Sequence, residues 1–348
     1  MRFSLQLLPE QPADELLDVI ALADELGFHG CYGADEIYHK DMWLILAAAA
    51  TRTKRIRLGP CVSPIFMRDP THVAQLAATL DELSKGRAEI VYGIGNLAML
   101  DQYEIPWKGT RPLARLREAH TVMRAVLDER AVEFAGDFYR YSGVFTMAQP
   151  VQERLPIKIG AMGGPRSMEL AGEIADGMFT ACAYSPEAIG YAISHTRQGA
   201  EKAGRDPDAL DISDNVLGAI GPDGPAARRA ARVLAAFYIP SMPEGLLQRH
   251  GLTREELQPV IDAFAAGDTE RALELTPDEV VDQLVVAGTP EEWIDQVEAI
   301  RATGLEHVLL SFADPFTVRT WSGREAGEVP DLASQIRLFH DEVLPAFG

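Results

Sequence analysis

The chain has 348 residues, of which 47% are hydrophobic and 24% are charged, as in an average globular protein. The formal net charge of −20 disfavours nucleic acid and anionic membrane surfaces as partners, because binding either polyanion needs a basic face. No apolar stretch approaches the roughly 20 residues of a membrane span, and the opening residues lack the apolar core of a signal peptide. Three cysteines without paired spacing (Cys31, Cys61 and Cys182) fit a reducing compartment. Together these features predict a soluble, cytoplasmic protein.

Short β-rich runs alternate with longer amphipathic stretches along the chain, which is typical of a parallel sheet with connecting helices. We predict strands at residues 3–8, 30–34, 56–63, 88–95, 157–162, 177–182, 211–221 and 307–312. Helical spacing of apolar residues predicts helices at 12–26, 43–53, 73–83, 113–127 and 330–347. Eight strands predict an α/β fold of the closed (β/α)8 TIM-barrel type, since doubly wound open sheets usually stop nearer six.

Two segments lie outside a minimal barrel. Residues 132–141 alternate apolar and polar side chains around Gly136-Asp137, which predicts a surface hairpin. Residues 238–289 have helical composition and no clear strand, so we predict a helical insertion before the last βα unit. We expect residues 1–348 to form a single domain.

The residues that follow the predicted strands are the candidates for chemistry, because barrel active sites lie at the carboxyl ends of the strands. Asp35 and Glu36 follow the second strand, and His39 comes shortly after them. A carboxylate beside another can hold a proton at neutral pH and act as a general acid or base. A helix cap and a solvated side chain would account for the same pair. Asp35, Glu36 and His39 are therefore the catalytic candidates.

The fifth strand is followed by Met162-Gly163-Gly164-Pro165. The two glycines would let the backbone approach an anion, and the amides at the start of the next helix could bind a phosphate. A plain tight turn would use the same residues. After the fourth strand, Gly93-Ile94-Gly95 lacks the third glycine of a dinucleotide-binding motif.

Two other kinds of chemistry find no support in the residue pattern. The histidines lack partners at metal-ligand spacing, so we expect no metal site. The chain contains no GxSxG motif, and no serine, histidine and acidic group suggests acyl transfer.

Eight segments of the chain carry a family resemblance: LGPCVSP at 58–64, RDP at 68–70, AATLDELSKGR at 77–87, GIG at 93–95, IGA at 159–161, AGEIADG at 171–177, RHGL at 249–252 and GTP at 288–290. Over nearly its whole length the chain resembles the bacterial-luciferase-like superfamily. Within it, the resemblance is to the coenzyme F420-dependent branch, especially the methylenetetrahydromethanopterin reductases.

The resemblance implies a barrel with an insertion, usually homodimeric, that binds the flavin-like ring of F420 across the strand ends. It implies hydride transfer between F420 and a small organic substrate, and a non-proline cis peptide at Cys61-Val62 against the ring. The cofactor-binding residues implied, or expected from their place at strand ends, are Cys61, Val62, Ser63, Gly95, Asn96, Ala161, Met162, Gly163 and Gly164.

Three positions depart from the pattern of that branch. Its Asp-His after the second strand is Asp35-Glu36 here, Asn96 replaces an acid after the fourth strand, and Gln6 replaces one on the first strand. Either Glu36 or His39 would then handle the proton. Two alternative functions stay open: an FMN-dependent monooxygenase, and a protein that binds flavin or F420 without turnover.

Overall fold

A computed structural model describes residues 1–162, 164–181, 184–325 and 327–348. Within these residues the strands are β1 (Arg2–Leu7), β2 (Gly30–Gly33), β3 (Arg57–Pro64), β4 (Ile90–Gly93), β5 (Ala131–Ala135), β6 (Arg140–Phe145), β7 (Ile157–Gly160), β8 (Gly177–Ala181), β9 (Asp211–Ile220), β10 (Val286–Gly288) and β11 (His307–Phe312).

Eight parallel strands close into a barrel in the order β1-β2-β3-β4-β7-β8-β9-β11. β11 pairs back with β1, where His307 lies opposite Arg2, and β8 pairs with β9, where Gly177 lies opposite Asp211. The hairpin β5-β6 is a separate antiparallel ribbon, as predicted. The predicted (β/α)8 barrel is confirmed.

Helices connect the strands and cover the barrel. Within the described ranges they are α1 (Ala13–Leu26), α2 (Met42–Arg52), α3 (Pro70–Ser84), α4 (Leu97–Gln102), α5 (Pro112–Glu129), α6 (Pro165–Ile174), α7 (Pro186–Lys202), α8 (Gly224–Tyr238), α9 (Glu244–Arg249), α10 (Arg254–Ala265), α11 (Thr269–Leu275), α12 (Asp278–Leu284), α13 (Pro290–Arg301), α14 (Pro315–Ser322) and α15 (Leu332–Leu338). No helix among these residues is long and apolar enough to cross a bilayer.

Local sequence explains where α3 begins and which face it buries. The side chain of Asp69 accepts a hydrogen bond from the Thr71 amide, and Pro70 occupies the first turn, where its missing N–H is no loss. Val73 and Ala77 are buried at a spacing of four residues, which turns one face of the helix towards the strands.

The middle of the barrel is filled by side chains and is therefore not an open channel. Five strands contribute one large or medium residue each, namely Tyr32, Cys61, Val91, Phe179 and Leu309. Filling this layer confines any bound molecule to the two ends of the barrel.

Two predicted segments differ from the structure in detail. Residues 238–289 contain α9 to α12, but Val286–Gly288 is a short strand paired with the end of β9. Three residues are too few to show a strand periodicity. The predicted helix at 330–347 is α-helical only in α15. A π-helical turn (Phe339–Val343) and a 3-10 turn (Leu344–Phe347) follow it, because apolar spacing does not distinguish these turns from an α turn.

A buried cluster of charges closes the amino-terminal end of the barrel. Lys158 Nζ lies 2.7 Å from Glu89 Oε2 and also pairs with Asp211 at the start of β9. Asp211 Oδ1 lies 3.0 Å from His307 Nδ1, and the Tyr32 hydroxyl donates a 2.8 Å hydrogen bond to Glu89. Buried charges are tolerated when they are paired and hydrogen-bonded, as these are.

The pairing shows in the pKa values of the cluster. Burial alone would raise the pKa of Glu89, but Lys158 and Arg57 hold it at about 2. Burial alone would lower the pKa of Lys158, but Glu89 and Asp211 raise it. Glu89 therefore keeps its charge at neutral pH because of Lys158 and Arg57, and Lys158 keeps its charge because of the two carboxylates.

We expect Lys158→Met to lower the free energy of unfolding by about 3–5 kcal/mol, because it leaves two buried carboxylates without their shared cation. The measurement is equilibrium unfolding in urea. The control is Lys202→Met, since Lys202 is 59% exposed and pairs with Glu169 at the surface. Its loss should cost less than about 1 kcal/mol. Equal effects of the two substitutions would contradict a stabilising role for the buried cluster.

Candidate active site

The carboxyl-terminal mouth of the barrel has a floor of small and polar side chains. Side chains alternate along a strand, so the residues two positions beyond the barrel-filling Val91, Phe179 and Leu309 also face inward. These residues are Gly93, Ala181 and Ser311. Two of the three are small, which leaves room for a flat ring above the filled layer.

Polar groups from four strands meet on this floor. Ser311 Oγ lies 2.9 Å from the main-chain oxygen of Gln6 and 3.0 Å from Asn215 Oδ1. Gln6 Nε2 donates a 2.9 Å hydrogen bond to the Cys61 carbonyl oxygen. Gln6 Oε1 is buried and has no hydrogen-bond partner within the described residues. A buried carbonyl oxygen without a donor is unfavourable, so this atom is available as an acceptor for a bound molecule.

The peptide bond between Cys61 and Val62 is cis, at the position that the family resemblance implies. The pairing of β3 with β4 shifts register between Cys61 and Ser63. A Cβ atom built on Gly160 would lie 2.5 Å from Val62 Cγ1, and one on Gly93 would lie 3.4 Å from Val62 Cγ2. Glycine at the ends of β4 and β7 thus makes room for Val62, which forms part of the floor.

Asp35 anchors the loop after β2. Its Oδ1 accepts a 2.7 Å hydrogen bond from Arg68 Nη2, and its Oδ2 accepts hydrogen bonds from Arg68 Nε (2.7 Å), Ser63 Oγ (2.9 Å) and Trp43 Nε1 (3.1 Å). Asp35 is 6% exposed. Four donors occupy its two oxygens, which suits a residue that holds the loop in place more than one that exchanges a proton.

Glu36 lies beside Asn96, and the two side chains are hydrogen-bonded. Asn96 Oδ1 accepts a 3.0 Å hydrogen bond from the Ala98 amide at the start of α4, so its NH2 group is the donor to Glu36. Burial raises the pKa of Glu36, the Asn96 hydrogen bond lowers it, and the Asp35 carboxylate raises it, with a net rise. A raised pKa increases the protonated share of Glu36 near neutral pH.

His39 lies in the same loop but beside a different carboxylate. Its Nδ1 is 3.5 Å from Glu10 Oε1, in the loop after β1. Burial lowers the pKa of His39, and the nearby Lys40 lowers it further. The structure therefore brings Asp35, Glu36, Ser63 and Asn96 into one group and places His39 in a second group with Glu10.

The residues expected to bind phosphate lie at the start of α6. Gly164 precedes this ten-residue helix, Pro165 occupies its first turn, and no side chain caps its amides. Such amides can bind an anionic group. Met162 is half-buried beside them, and the Ala161 amide bonds to the carbonyl of a β8 residue. Gly163 lies outside the described residues, as does Cys182.

Gly95 is required by its place between β4 and Asn96. Its φ is +95°, and a Cβ atom there would lie 2.6 Å from Pro64 Cβ at the end of β3. Only glycine adopts this backbone conformation readily in so little space. Gly95 thereby sets the direction in which Asn96 leaves the strand.

Sequence reasoning missed the partners of the site residues. Arg68 belongs to a segment that carries the family resemblance, but nothing in that segment names Asp35, 33 positions earlier, as its partner. Glu10 follows the first strand and stands next to proline, so its sequence context predicts only a loop and does not indicate a functional residue. Across the described parts of the chain, no three His, Cys, Asp or Glu side chains are grouped as a metal ion would need.

Comparison with known protein families identifies the family to which the chain belongs. The family model of luciferase-like monooxygenases matches residues 1–307. The chain belongs to this family. Its predicted place in the bacterial-luciferase-like superfamily is confirmed.

Several relatives are similar over almost the entire chain. The 5,10-methylenetetrahydromethanopterin reductase of Archaeoglobus fulgidus is 28% identical over 349 residues, covering 99% of each chain. The F420-dependent glucose-6-phosphate dehydrogenase of Microbacterium testaceum is 28% identical over 363 residues, covering 99% of this chain and 97% of the relative. The solved F420-dependent tetrahydromethanopterin reductase of Methanopyrus kandleri is 27% identical with a TM-score of 0.88, covering 100% of this chain and 99% of that one.

We expect Gly160→Ala to lower the free energy of unfolding by about 1–3 kcal/mol, because the new methyl group overlaps Val62. Urea unfolding measures the effect. Adding Val62→Ala should remove most of this loss, since it deletes the overlapping Cγ atoms. Gly190→Ala on α7 is the matched control, as its Cβ would meet nothing within 4 Å. A double variant less stable than Gly160→Ala alone would show that Val62 is not the obstacle.

Proposed function

We propose that this protein is an F420-dependent oxidoreductase that transfers a hydride between the deazaflavin and a small organic substrate. The observation that carries the proposal is the floor at the barrel mouth, where Val62 lies against Gly93 and Gly160. The names of the relatives support F420 as the cofactor, since one reductase and one dehydrogenase that are named F420-dependent resemble the chain along its full length.

The residues present fit such a cofactor. The small side chains of the floor leave room for a flat ring, and the unpartnered Gln6 Oε1 can accept a hydrogen bond from it. Cys61, Val62 and Ser63 would support the ring from one side, with Gly95 and Asn96 beside them. The amides at the start of α6, with Ala161, Met162, Gly163 and Gly164 leading to it, would hold the phosphate.

Bound F420 supplies the site with a two-electron acceptor or donor. The chain's own residues position the substrate around it. Asp35 and Arg68 fix the loop after β2, and Glu36 and Asn96 present a carboxyl group and an amide to a polar group of the substrate. The filled layer below the floor, with Tyr32 and Leu309, keeps water from entering through the barrel.

The homodimer stays a prediction, and exposed apolar side chains support it. Leu44 on α2 is 72% exposed and Phe145 on β6 is 73% exposed. Exposed apolar residues of this size favour burial against another surface. We expect that surface to be a second copy of the chain. The acidic composition still argues against nucleic acid as a partner.

We expect the purified chain to bind F420 at least about tenfold more tightly than FMN, a difference of about 1.4 kcal/mol. Fluorescence titration of each cofactor with the protein measures both dissociation constants. Preference for FMN, with oxygen consumption, would instead support a monooxygenase. Binding of neither cofactor would overturn the cofactor assignment.

A further inference from the structure

A second cavity, of about 270 Å³, lies on the outside of the barrel between α7 and α13. We call it the outer cavity. The helical insertion contributes to its lining with the end of α9, the end of α12 and the start of β10. The floor residues Gly93, Ala181 and Ser311 do not line it, so it is separate from the barrel mouth. Its volume is just below the range of about 300–1,000 Å³ that is usual for ligand sites, which suits a small molecule.

Two polar residues of the lining, Arg249 and His250, belong to the segment RHGL at 249–252, which is one of the segments that carry the family resemblance. The proposed function assigns no role to this segment. Ser185 Oγ, at the start of α7, donates a 2.9 Å hydrogen bond to the Arg249 main-chain oxygen. The same Oγ accepts a 3.1 Å hydrogen bond from the Ala188 amide. The backbone of Arg249 is therefore held against α7 by hydrogen bonds within the protein.

The guanidinium group of Arg249 is positioned by an aromatic ring. Its central carbon lies 3.4 Å from the centroid of the Tyr191 ring, and Nη1 donates a hydrogen bond to the Gly245 main-chain oxygen. No carboxylate of the described residues forms an ion pair with Arg249, and its other N–H groups make no hydrogen bond with these residues. A stacked guanidinium with N–H groups to spare can bind a carboxylate through two parallel hydrogen bonds.

The charges around the outer cavity favour a ligand with a single negative charge. Asp282 is the acidic residue of the lining, and its Oδ1 accepts a 2.6 Å hydrogen bond from Arg228 Nε. Because Arg228 balances Asp282, the positive charge of Arg249 is the one that remains for a ligand. A doubly charged phosphate would bring its second negative charge near Asp282, and like charges repel.

The rest of the lining favours an apolar body on the ligand. Val285, Val286 and Ile300 line the cavity, and each is at most 4% exposed. Removing hydrocarbon from water against such side chains is favourable. The outer cavity thus combines one cation without an acidic partner and an apolar wall.

We propose that the outer cavity binds a small monocarboxylate with an apolar body. The carboxylate pairs with Arg249, and the apolar body lies against Val285, Val286 and Ile300. Arg249 belongs to the insertion and Ile300 to α13, which precedes the last barrel strand. A bound molecule therefore ties the insertion to the barrel. The site works by binding alone and is independent of the proposed F420-dependent function.

The first test is calorimetric titration of the full chain in 0.15 M salt with benzoate, acetate and inorganic phosphate as probes. Benzoate carries a carboxylate on an apolar ring, whereas acetate has almost no apolar body. We expect benzoate to bind with a Kd of about 1 mM or lower, at least about tenfold more tightly than acetate or phosphate. Equal affinities, or no saturation by about 10 mM benzoate, would mean an adventitious ion only and overturn the proposal.

The same titration of the chain loaded with F420 locates the site. We expect an unchanged Kd for benzoate, because the outer cavity shares no residue with the floor. Loss of benzoate binding on loading would place the probe at the barrel mouth and overturn the proposal. If F420 itself does not bind, the proposed function fails, while the titration of the cofactor-free chain still tests the outer cavity.

Two substitutions test the lining. We expect Arg249→Gln to raise the Kd of benzoate at least about tenfold, because the carboxylate loses its charged partner. Arg337→Gln, at an exposed position on α15, is the matched control and should leave the Kd unchanged. Ala299→Phe places a ring in the cavity from an exposed position on α13, so it should block binding and still fold. Wild-type affinity in either Arg249→Gln or Ala299→Phe would contradict the assignment.

Thermal unfolding gives an independent readout. Benzoate should raise the unfolding midpoint of the wild-type chain, because a ligand that binds only the folded state stabilises it. The midpoint of Ala299→Phe should not respond to benzoate. An equal rise in both proteins would show that benzoate acts elsewhere and not in the outer cavity.

Discussion

The active-site mouth depends on the four hydrogen bonds that converge on Asp35. Arg68 donates one hydrogen bond to each carboxylate oxygen, and Ser63 and Trp43 donate one each. The residues come from the loop after β2, the end of β3, the following loop and the start of α2. A bidentate pair with two further donors fixes direction as well as distance. Because Glu36 follows Asp35 directly, the same contacts determine where the next carboxyl group lies.

The two ends of the barrel differ in whether their buried polar groups are paired with one another. At the amino-terminal end, Lys158 sits between Glu89 and Asp211, and the charges satisfy one another. At the carboxyl-terminal end, buried acceptors such as Gln6 Oε1 and Glu10 Oε2 have no partner within the described residues. Buried charges that are paired with one another stabilise a fold, whereas unpaired buried acceptors can bind the hydrogen-bond donors of a ligand. Stability and chemistry are thus assigned to different ends, as in other barrels of this type.

The positions at which this chain departs from the pattern of the F420-dependent branch lie at the carboxyl-terminal end, where the unpaired acceptors are. Where the F420-dependent branch places Asp-His after the second strand, this chain has Asp35 locked by Arg68, and Glu36 bonded to Asn96. A histidine is still present, three residues further on, and it faces Glu10 instead. The loop thereby retains an imidazole and a carboxylate near the mouth while their order along the chain is altered.

The barrel itself was predictable from sequence because its cause is local and repeated. Side chains on one face recur every two residues in a strand and every 3.6 residues in a helix, so each βα unit can be recognised from its own sequence. Eight such units in succession favour a closed barrel. Strand ends were predictable for the same reason, which is why Asp35, Glu36 and Asn96 were identified. The three-residue strand β10 and the irregular turns after α15 were missed because they are too short to show a period.

By itself, the sequence determined the fold class, the family and the set of residues at the carboxyl ends of the strands. Only the tertiary structure decided which of them meet. Asp35 and Arg68 are 33 positions apart, and Glu10 and Trp321 are 311 positions apart. The first contact depends on the pairing of β2 with β3, and the second on barrel closure, which brings β11 beside β1. No periodicity along the chain records either contact. Whether a carboxylate anchors a loop or faces a histidine is therefore decided by which strands pair in the barrel.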